Sequence, residues 1–262
     1  MESNKLSTVY FSATGTTAKI VSAIAQGFST LKAREYKIIT PCTEHIIFSH
    51  NETVIFGVPV FSGRVPTIAM KSLSNFSGSA TPAIIVCVYG NREVDDALLE
   101  LKNSVEQRGF KVISAAAFVA QHSIFPVVAA GRPNTQDIDH AHQLGHISAQ
   151  WLYKADDKAF EMPLEVTGNY PYRPVKKIPL IPQTDKNCNS CGLCVKQCPV
   201  GAIDSSNPHK TNKELCISCA HCVAICPKKS RHFSGLLYRM AARKFTKANT
   251  MPKEPYIVFR ER

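Results

Sequence analysis

The first 155 residues alternate short apolar runs with amphipathic stretches, and that alternation predicts the elements. Runs at Leu6–Phe11, Glu35–Thr40, Thr53–Val58, Ala83–Tyr89 and Phe110–Phe118 read as strands. Helical patterns fill about 15–30, 66–74, 94–108 and 135–155. The segment AIIVCVYG is continuously apolar and rich in β-branched residues, as a strand covered on both faces should be. In DDALLELKNSVEQRGF, Leu98, Leu101 and Val105 fall at helical spacing, and Gly109 supplies a C-terminal stop. Five strands separated by helices predict an α/β domain with a doubly wound parallel sheet.

From Glu161 to Thr184 the texture changes, with Pro163, Pro171, Pro174, Pro179 and Pro182 in 24 residues. Such a stretch cannot be helical and reads as a semi-rigid extended connector. Next comes a short repeat: Cys188, Cys191, Cys194 and Cys198 recur 28 residues later as Cys216, Cys219, Cys222 and Cys226. Equal spacing at every member marks a duplicated unit. The pattern divides the chain into residues 1–160, a linker at 161–183, a cysteine-rich domain at 184–230 and a C-terminal extension at 231–262. In that extension Leu237, Met240, Ala241 and Phe245 could share one helix face.

Charge sharpens the division. Residues 1–160 carry 14 Lys+Arg and 13 Asp+Glu, net +1, whereas residues 161–262 carry 17 and 7, net +10. The basic third suits an acidic redox partner, docking on the rest of the chain, or an anionic surface. No nucleic-acid motif is present, and no run of 18 apolar residues could span a bilayer. The start, MESNKLSTVYF, runs straight into a strand without a secretory pattern, so a cytoplasmic location is expected.

Both cysteine runs read C-x2-C-x2-C-x3-C-P, as CNSCGLCVKQCP and CISCAHCVAICP. This is the two-cluster iron–sulfur pattern, in which the fourth cysteine of each run serves the other cluster. That rule assigns Cys188, Cys191, Cys194 and Cys226 to one [4Fe–4S] centre. Cys216, Cys219, Cys222 and Cys198 go to the second. Structural zinc sites usually pair two CxxC knuckles at longer separation, and two runs ending in Cys-Pro fit them poorly. His221 lies between ligands and is read as exposed packing. The segment 184–230 resembles bacterial-type ferredoxins. It departs from them at Lys228-Lys229-Ser230, where small apolar residues are expected.

At the first strand end, Ser12-Ala13-Thr14-Gly15-Thr16-Thr17 offers hydroxyls and helix-start N–H groups to a single phosphate. It lacks the lysine of a Walker loop and two glycines of a dinucleotide fingerprint. An N-capped helix start would look much the same. Two more loops follow strands, Gly57-Val58-Pro59-Val60-Phe61-Ser62-Gly63-Arg64-Val65-Pro66 and Tyr89-Gly90-Asn91-Arg92. Open α/β sheets bind ligands at such strand ends. Each loop carries an aromatic that can stack on a flat ring.

The stretches YFSATGTTAK, FGVPVFSGRVP, VYGNREVDDALLEL, AAAFVAQHS and AGRPNTQDI, with the double cysteine run, resemble flavodoxin-like/ferredoxin fusion flavoproteins of anaerobes. The resemblance covers about residues 6–230. It implies a flavodoxin-like sheet of order 2-1-3-4-5, FMN at the ends of strands 1, 3 and 4, and a small α+β domain with two [4Fe–4S] clusters. It implies that Ser12, Thr14, Gly15, Thr16 and Thr17 hold the phosphate. Pro59, Val60, Phe61 and Gly63, with Tyr89, Gly90 and Asn91, then surround the flavin ring. No residue is assigned a catalytic role. The expected function is electron transfer between a low-potential redox protein, the clusters and FMN, within one chain or across a homodimer. A small-molecule reductase and a redox sensor are the alternatives. His122-Ser123 could reach the flavin or be an ordinary loop pair. His140, His142 and His146 read as a solvated helix face, Cys87 as a core residue and Cys42 as inert.

Overall fold

A computed structural model describes residues 5–40 and 44–260; Cys42 lies outside them. The central sheet is built from β1 (Lys5–Tyr10), β2 (Arg34–Lys37), β4 (Glu52–Pro59), β6 (Thr81–Tyr89) and β7 (Phe110–Val119). All their pairings are parallel, in the order β2-β1-β4-β6-β7. This is the expected 2-1-3-4-5 topology. A small parallel pair, β3 (Ile46–Phe48) and β5 (Phe76–Gly78), stands outside it.

Helices α1 (Thr16–Phe28), α2 (Thr67–Leu73), α3 (Ala97–Glu106) and α4 (Thr135–Lys154) cover the sheet. Strand alternation sorts the core into two layers. Val54, Phe56, Val58, Ala83, Ile85 and Cys87 pack with Ala69 and Leu73 of α2 and Leu98, Leu101 and Val105 of α3. Ile55, Ile84, Val86 and Val88 face Ile20, Val21 and Ile24 of α1 and Ala141, Leu144 and Trp151 of α4. β6 is buried along its whole length. A capping box starts α4, with the Asn134 side chain accepting from the Asp137 amide and Asp137 accepting from the Asn134 amide.

The cysteine-rich segment folds as a small pseudo-repeat. Its ends are tied by β8 (Gln183–Thr184) and β9 (Arg231–His232), paired antiparallel. Each cysteine run carries one helical turn, α5 (Leu193–Lys196) and α6 (His221–Ala224). The duplication extends to the backbone. Ser190 and Ser218 both have φ 54°, and Gly192 and Ala220 both cap their turns in the left-handed region.

The C-terminal segment corrects the expectation of a five-stranded sheet with a separate extension. After α7 (Leu236–Ala248), β10 (Tyr256–Phe259) pairs antiparallel with β7 and becomes the sixth strand. Arg260 fastens it: its amide donates to Ile113 O at 3.0 Å and its Nε to Val112 O at 3.1 Å. Four residues with weak period-2 contrast after a basic helix gave no strand signal, and only the exposed edge of β7 selects them. The covering face of α7 is Tyr238, Ala241, Ala242 and Phe245, packed on Ile124, Phe125, Val128 and Leu180. Leu237 and Met240, expected on that face, are exposed.

The connector is fastened to the first domain. Asp96 accepts from the backbone N–H groups of Asn169 (2.9 Å) and Arg173 (2.7 Å). Ser62 Oγ donates to Lys176 O at 2.9 Å. Arg64 forms a bidentate ion pair with Glu100, donates to Arg173 O, and lies 4.9 Å over the Tyr172 ring.

Candidate functional site

The eight cysteines of the repeat surround two cavities. Cys188, Cys191, Cys194 and Cys226 line one, with Pro208, Ser230 and Arg231. Cys198, Cys216, Cys219 and Cys222 line the other, with Pro182, Ile203 and Ile217. The partition is crossed, each run sending its fourth cysteine to the other cavity. Among the described residues no three His, Cys, Asp or Glu side chains gather on one point as a single ion would require. A cube of four irons and four sulfides takes one thiolate at each iron, so its ligands stand apart around a core. The donor set fits that group.

The two cavities differ electrostatically. Burial pushes the Cys219 thiol up to about 12 and Cys222 up to about 11. Their charge therefore depends on bound metal. At Cys226, desolvation opposes ionisation but is outweighed by hydrogen bonds from the Ser230 hydroxyl and nearby backbone amides, and its thiol lies below the ordinary value. Arg231 is buried and donates from Nη1 toward Cys194 Sγ at 3.6 Å and to Pro208 O at 2.8 Å, and from Nη2 to Thr211 Oγ1 at 2.6 Å. Ser230 belongs to the tripeptide where the sequence departs from ferredoxins, so that departure supplies a hydrogen-bond donor to sulfur.

His221 corrects its sequence reading as exposed packing. It is buried; its Nδ1 lies 2.7 Å from Ala13 O and its Nε2 is 3.3 Å from the side-chain amide of Gln197.

Ala13 lies in the hydroxyl-rich loop. Gly15 begins α1 with φ 90° and has no side chain with which to cap it, and the first turn holds no acid. Open space surrounds the position of a Gly15 Cβ. Ser12 Oγ accepts from the Ala18 amide at 3.1 Å, Thr14 and Thr16 are half-buried, and Thr17 is buried. A helix start whose N-cap glycine offers no acceptor, beside hydroxyls and without a carboxylate, fits a phosphate dianion.

At the ends of β4, β6 and β7 lies a cavity of about 640 Å³. Val60, Phe61, Gly63, Tyr89 and Gly90 line it. Pro59, Asn91 and the loop Ser12–Thr17 lie outside that lining. Asn91 is buried and commits its side chain elsewhere, donating to Asn249 O and Met251 O at 3.0 Å each. Gly90 makes room for a side chain, since a Cβ there would stand 2.4 Å from His122 Cδ2.

The other walls include groups that the sequence did not assign to a site: Phe125, Ile178, Leu180, Ile217, Ser218 and Phe245. Those from the linker and the cluster loop had no local signal, because only the tertiary fold brings them there. His122 also lines the cavity. Its Nδ1 accepts from the amides of Ile124 and Phe125 at 3.1 Å each, which places the ring proton on Nε2. Burial pushes its pKa down to about 4, so the ring is neutral. Phe245 meets it edge-on with centroids 4.6 Å apart.

Residues 187–230 match the family model described as a 4Fe-4S dicluster domain. The sheet order, with α2 and α3 on one face and α1 and α4 on the other, is that of the flavodoxin fold. The chain joins a flavodoxin-like fold to a C-terminal 4Fe-4S ferredoxin-type domain. No curated protein matches it. Among solved structures it is similar to an archaeal flavodoxin at 13% identity and TM-score 0.41, covering 57% of this chain and 99% of that one. The Flv1 flavodiiron core from Synechocystis sp. PCC6803 aligns at 22% identity and TM-score 0.44, over 59% of this chain and 37% of that one. Rubredoxin oxygen:oxidoreductase from Desulfovibrio gigas aligns at 16% identity and TM-score 0.39, over 58% and 37%. This chain thus spans little more than a third of those two proteins. Among the described residues no helix is long and apolar enough to cross a membrane.

Proposed function

We propose that the protein is an electron-transfer flavoprotein that holds two [4Fe–4S] clusters and one FMN and exchanges electrons with a separate redox protein. One observation carries this reading: Ile217 and Ser218, between cluster ligands Cys216 and Cys219, line the same cavity as Phe61, Tyr89 and Gly90 at the flavodoxin strand ends. The two kinds of site share a wall.

In this reading Cys188, Cys191, Cys194 and Cys226 hold one cluster, and Cys198, Cys216, Cys219 and Cys222 hold the other. Ser12, Thr14, Gly15, Thr16 and Thr17 take the phosphate. The ring lies among Val60, Phe61, Gly63, Tyr89 and Gly90, with Pro59 and Asn91 shaping the two loops from behind. The clusters supply one-electron chemistry, and the flavin interconverts one- and two-electron chemistry. The chain's own contribution is to exclude water with Phe125, Leu180 and Phe245, and to present a neutral Nε2–H from His122 whose tautomer is fixed by two backbone donors.

A stoichiometric anaerobic dithionite titration tests it. About four electron equivalents per chain are expected, one per cluster and two for the flavin. Uptake of only two would contradict the cofactor set. A second reading, direct reduction of a small molecule, draws on the cavity's apolar lining. Multiple turnover of a quinone by the reduced protein would favour it over the carrier.

A further inference from the structure

The two cysteine cavities face different surroundings. Around the Cys198/Cys216/Cys219/Cys222 cavity, Ser218, Cys219, Ala220 and His221 are buried, Cys219 packs into the first domain's core, and no charged side chain is in the lining. At the other cavity Cys191 is exposed and Cys188, Cys194 and Cys226 are half-buried. Lys210 and Lys213 flank Thr211 of the first cavity and Lys196 lies two residues from either, whereas Lys186, Lys228 and Lys229 border the second cavity alone; Lys186, Lys196, Lys228 and Lys229 each stand within two residues of the second cavity's lining. All four are exposed, and among the described residues none has an ion-pair partner. Asp185, next to Lys186, lies 3.9 Å from His232.

We infer that this lysine-rimmed face over Cys188, Cys191, Cys194 and Cys226 is where an acidic redox protein docks. The inference rests on the electron-transfer reading and adds the surface and the partner's charge to it. The basic helix α7, which the sequence alone offers as a partner site, covers the flavodoxin strand ends with Tyr238, Ala241, Ala242 and Phe245, and its exposed cations Arg239, Arg243 and Lys247 line neither cysteine cavity. Four unpaired cations around the one exposed cluster ligand complement a carboxylate-rich surface and steer its approach.

The test uses the anaerobically purified holoprotein and a reduced two-cluster ferredoxin of net negative charge. The variant K186E/K196E/K228E/K229E should accept electrons from it about tenfold more slowly, with a flattened ionic-strength dependence. Its reduction by a zwitterionic viologen should be unchanged. The control R239E/R243E/K247E on α7 should stay within about twofold of wild type. Carbodiimide cross-linking of the wild-type pair, read by peptide mass, should join the ferredoxin to the four lysines, and it decides the matter if the quadruple variant loses iron. Cross-links at α7, or slowing confined to the α7 variant, would overturn the inference. Wild-type protein without iron or flavin would overturn the electron-transfer reading instead.

Discussion

His221 Nδ1 lies 2.7 Å from the carbonyl oxygen of Ala13, joining the middle of a cysteine run to the loop that begins α1. A carbonyl can only accept, so the ring's Nδ1–H donates, and the bond fixes both the docking of the cluster segment and the path of Ser12–Thr17. His221→Ala should therefore weaken FMN binding about fivefold, the worth of about 1 kcal/mol for one hydrogen bond, while iron content stays at the wild-type level. Fluorescence titration of flavin-stripped protein with FMN measures it. Unchanged affinity would separate the contact from the loop.

The Arg64–Glu100 pair is mostly buried and also holds the linker through Arg173 O. Glu100→Ala leaves a buried guanidinium without its partner, so unfolding stability should fall by about 3–5 kcal/mol. Urea denaturation followed by circular dichroism checks this. A loss below 1 kcal/mol would mean that solvent replaces the carboxylate.

His122 gives a pH signature. Its folded pKa of about 4 lies below the ordinary histidine value, with burial as the cause. The unfolded chain therefore takes up a proton that the folded chain refuses between pH 6.5 and 4. Stability from this group is fully present above pH 6.5 and falls as pH drops, by up to about 1.4 kcal/mol per unit within that window. His122→Asn, whose Oδ1 can accept the same backbone bonds, should flatten that part of the stability profile. Proton NMR of the His122 ring should show no titration near pH 6.5.

Arg231 places a buried positive charge beside Cys194. A cation near a cluster favours the reduced, more negative state. Arg231→Gln should shift the potential of the cluster held by Cys188, Cys191, Cys194 and Cys226 downward and leave the other less affected. Potentiometric titration followed by electron paramagnetic resonance resolves the two. An upward shift would contradict the charge argument.

How far the sequence reveals this molecule depends on the range of the interaction involved. Strands β1, β4, β6 and β7 and helices α1, α3 and α4 show in the pattern because each buries a face whose period is local: Leu98, Leu101 and Val105 need no partner to be recognised. The cysteine repeat is legible because its spacing is local, and the fold gathers its members four to a cavity. Contacts between distant segments are not. Nothing local marks Tyr256–Phe259 as a strand, since the selecting edge belongs to β7. His221 looks like an exposed residue between ligands until Ala13 is brought beside it. Asn91, read as a flavin-edge residue, holds Asn249 and Met251 because the C-terminal segment returns across the sheet. Gly90 lines the cavity as a strand-end glycine should, but its close neighbour His122, which a Cβ would meet, comes from another strand end and leaves no local mark.

The most direct test is anaerobic purification followed by iron, sulfide and flavin analysis on the same sample. The account predicts about eight irons, about eight sulfides and one FMN per chain. Zinc in place of iron, or a preparation that binds iron but no flavin after reconstitution with FMN, would contradict it.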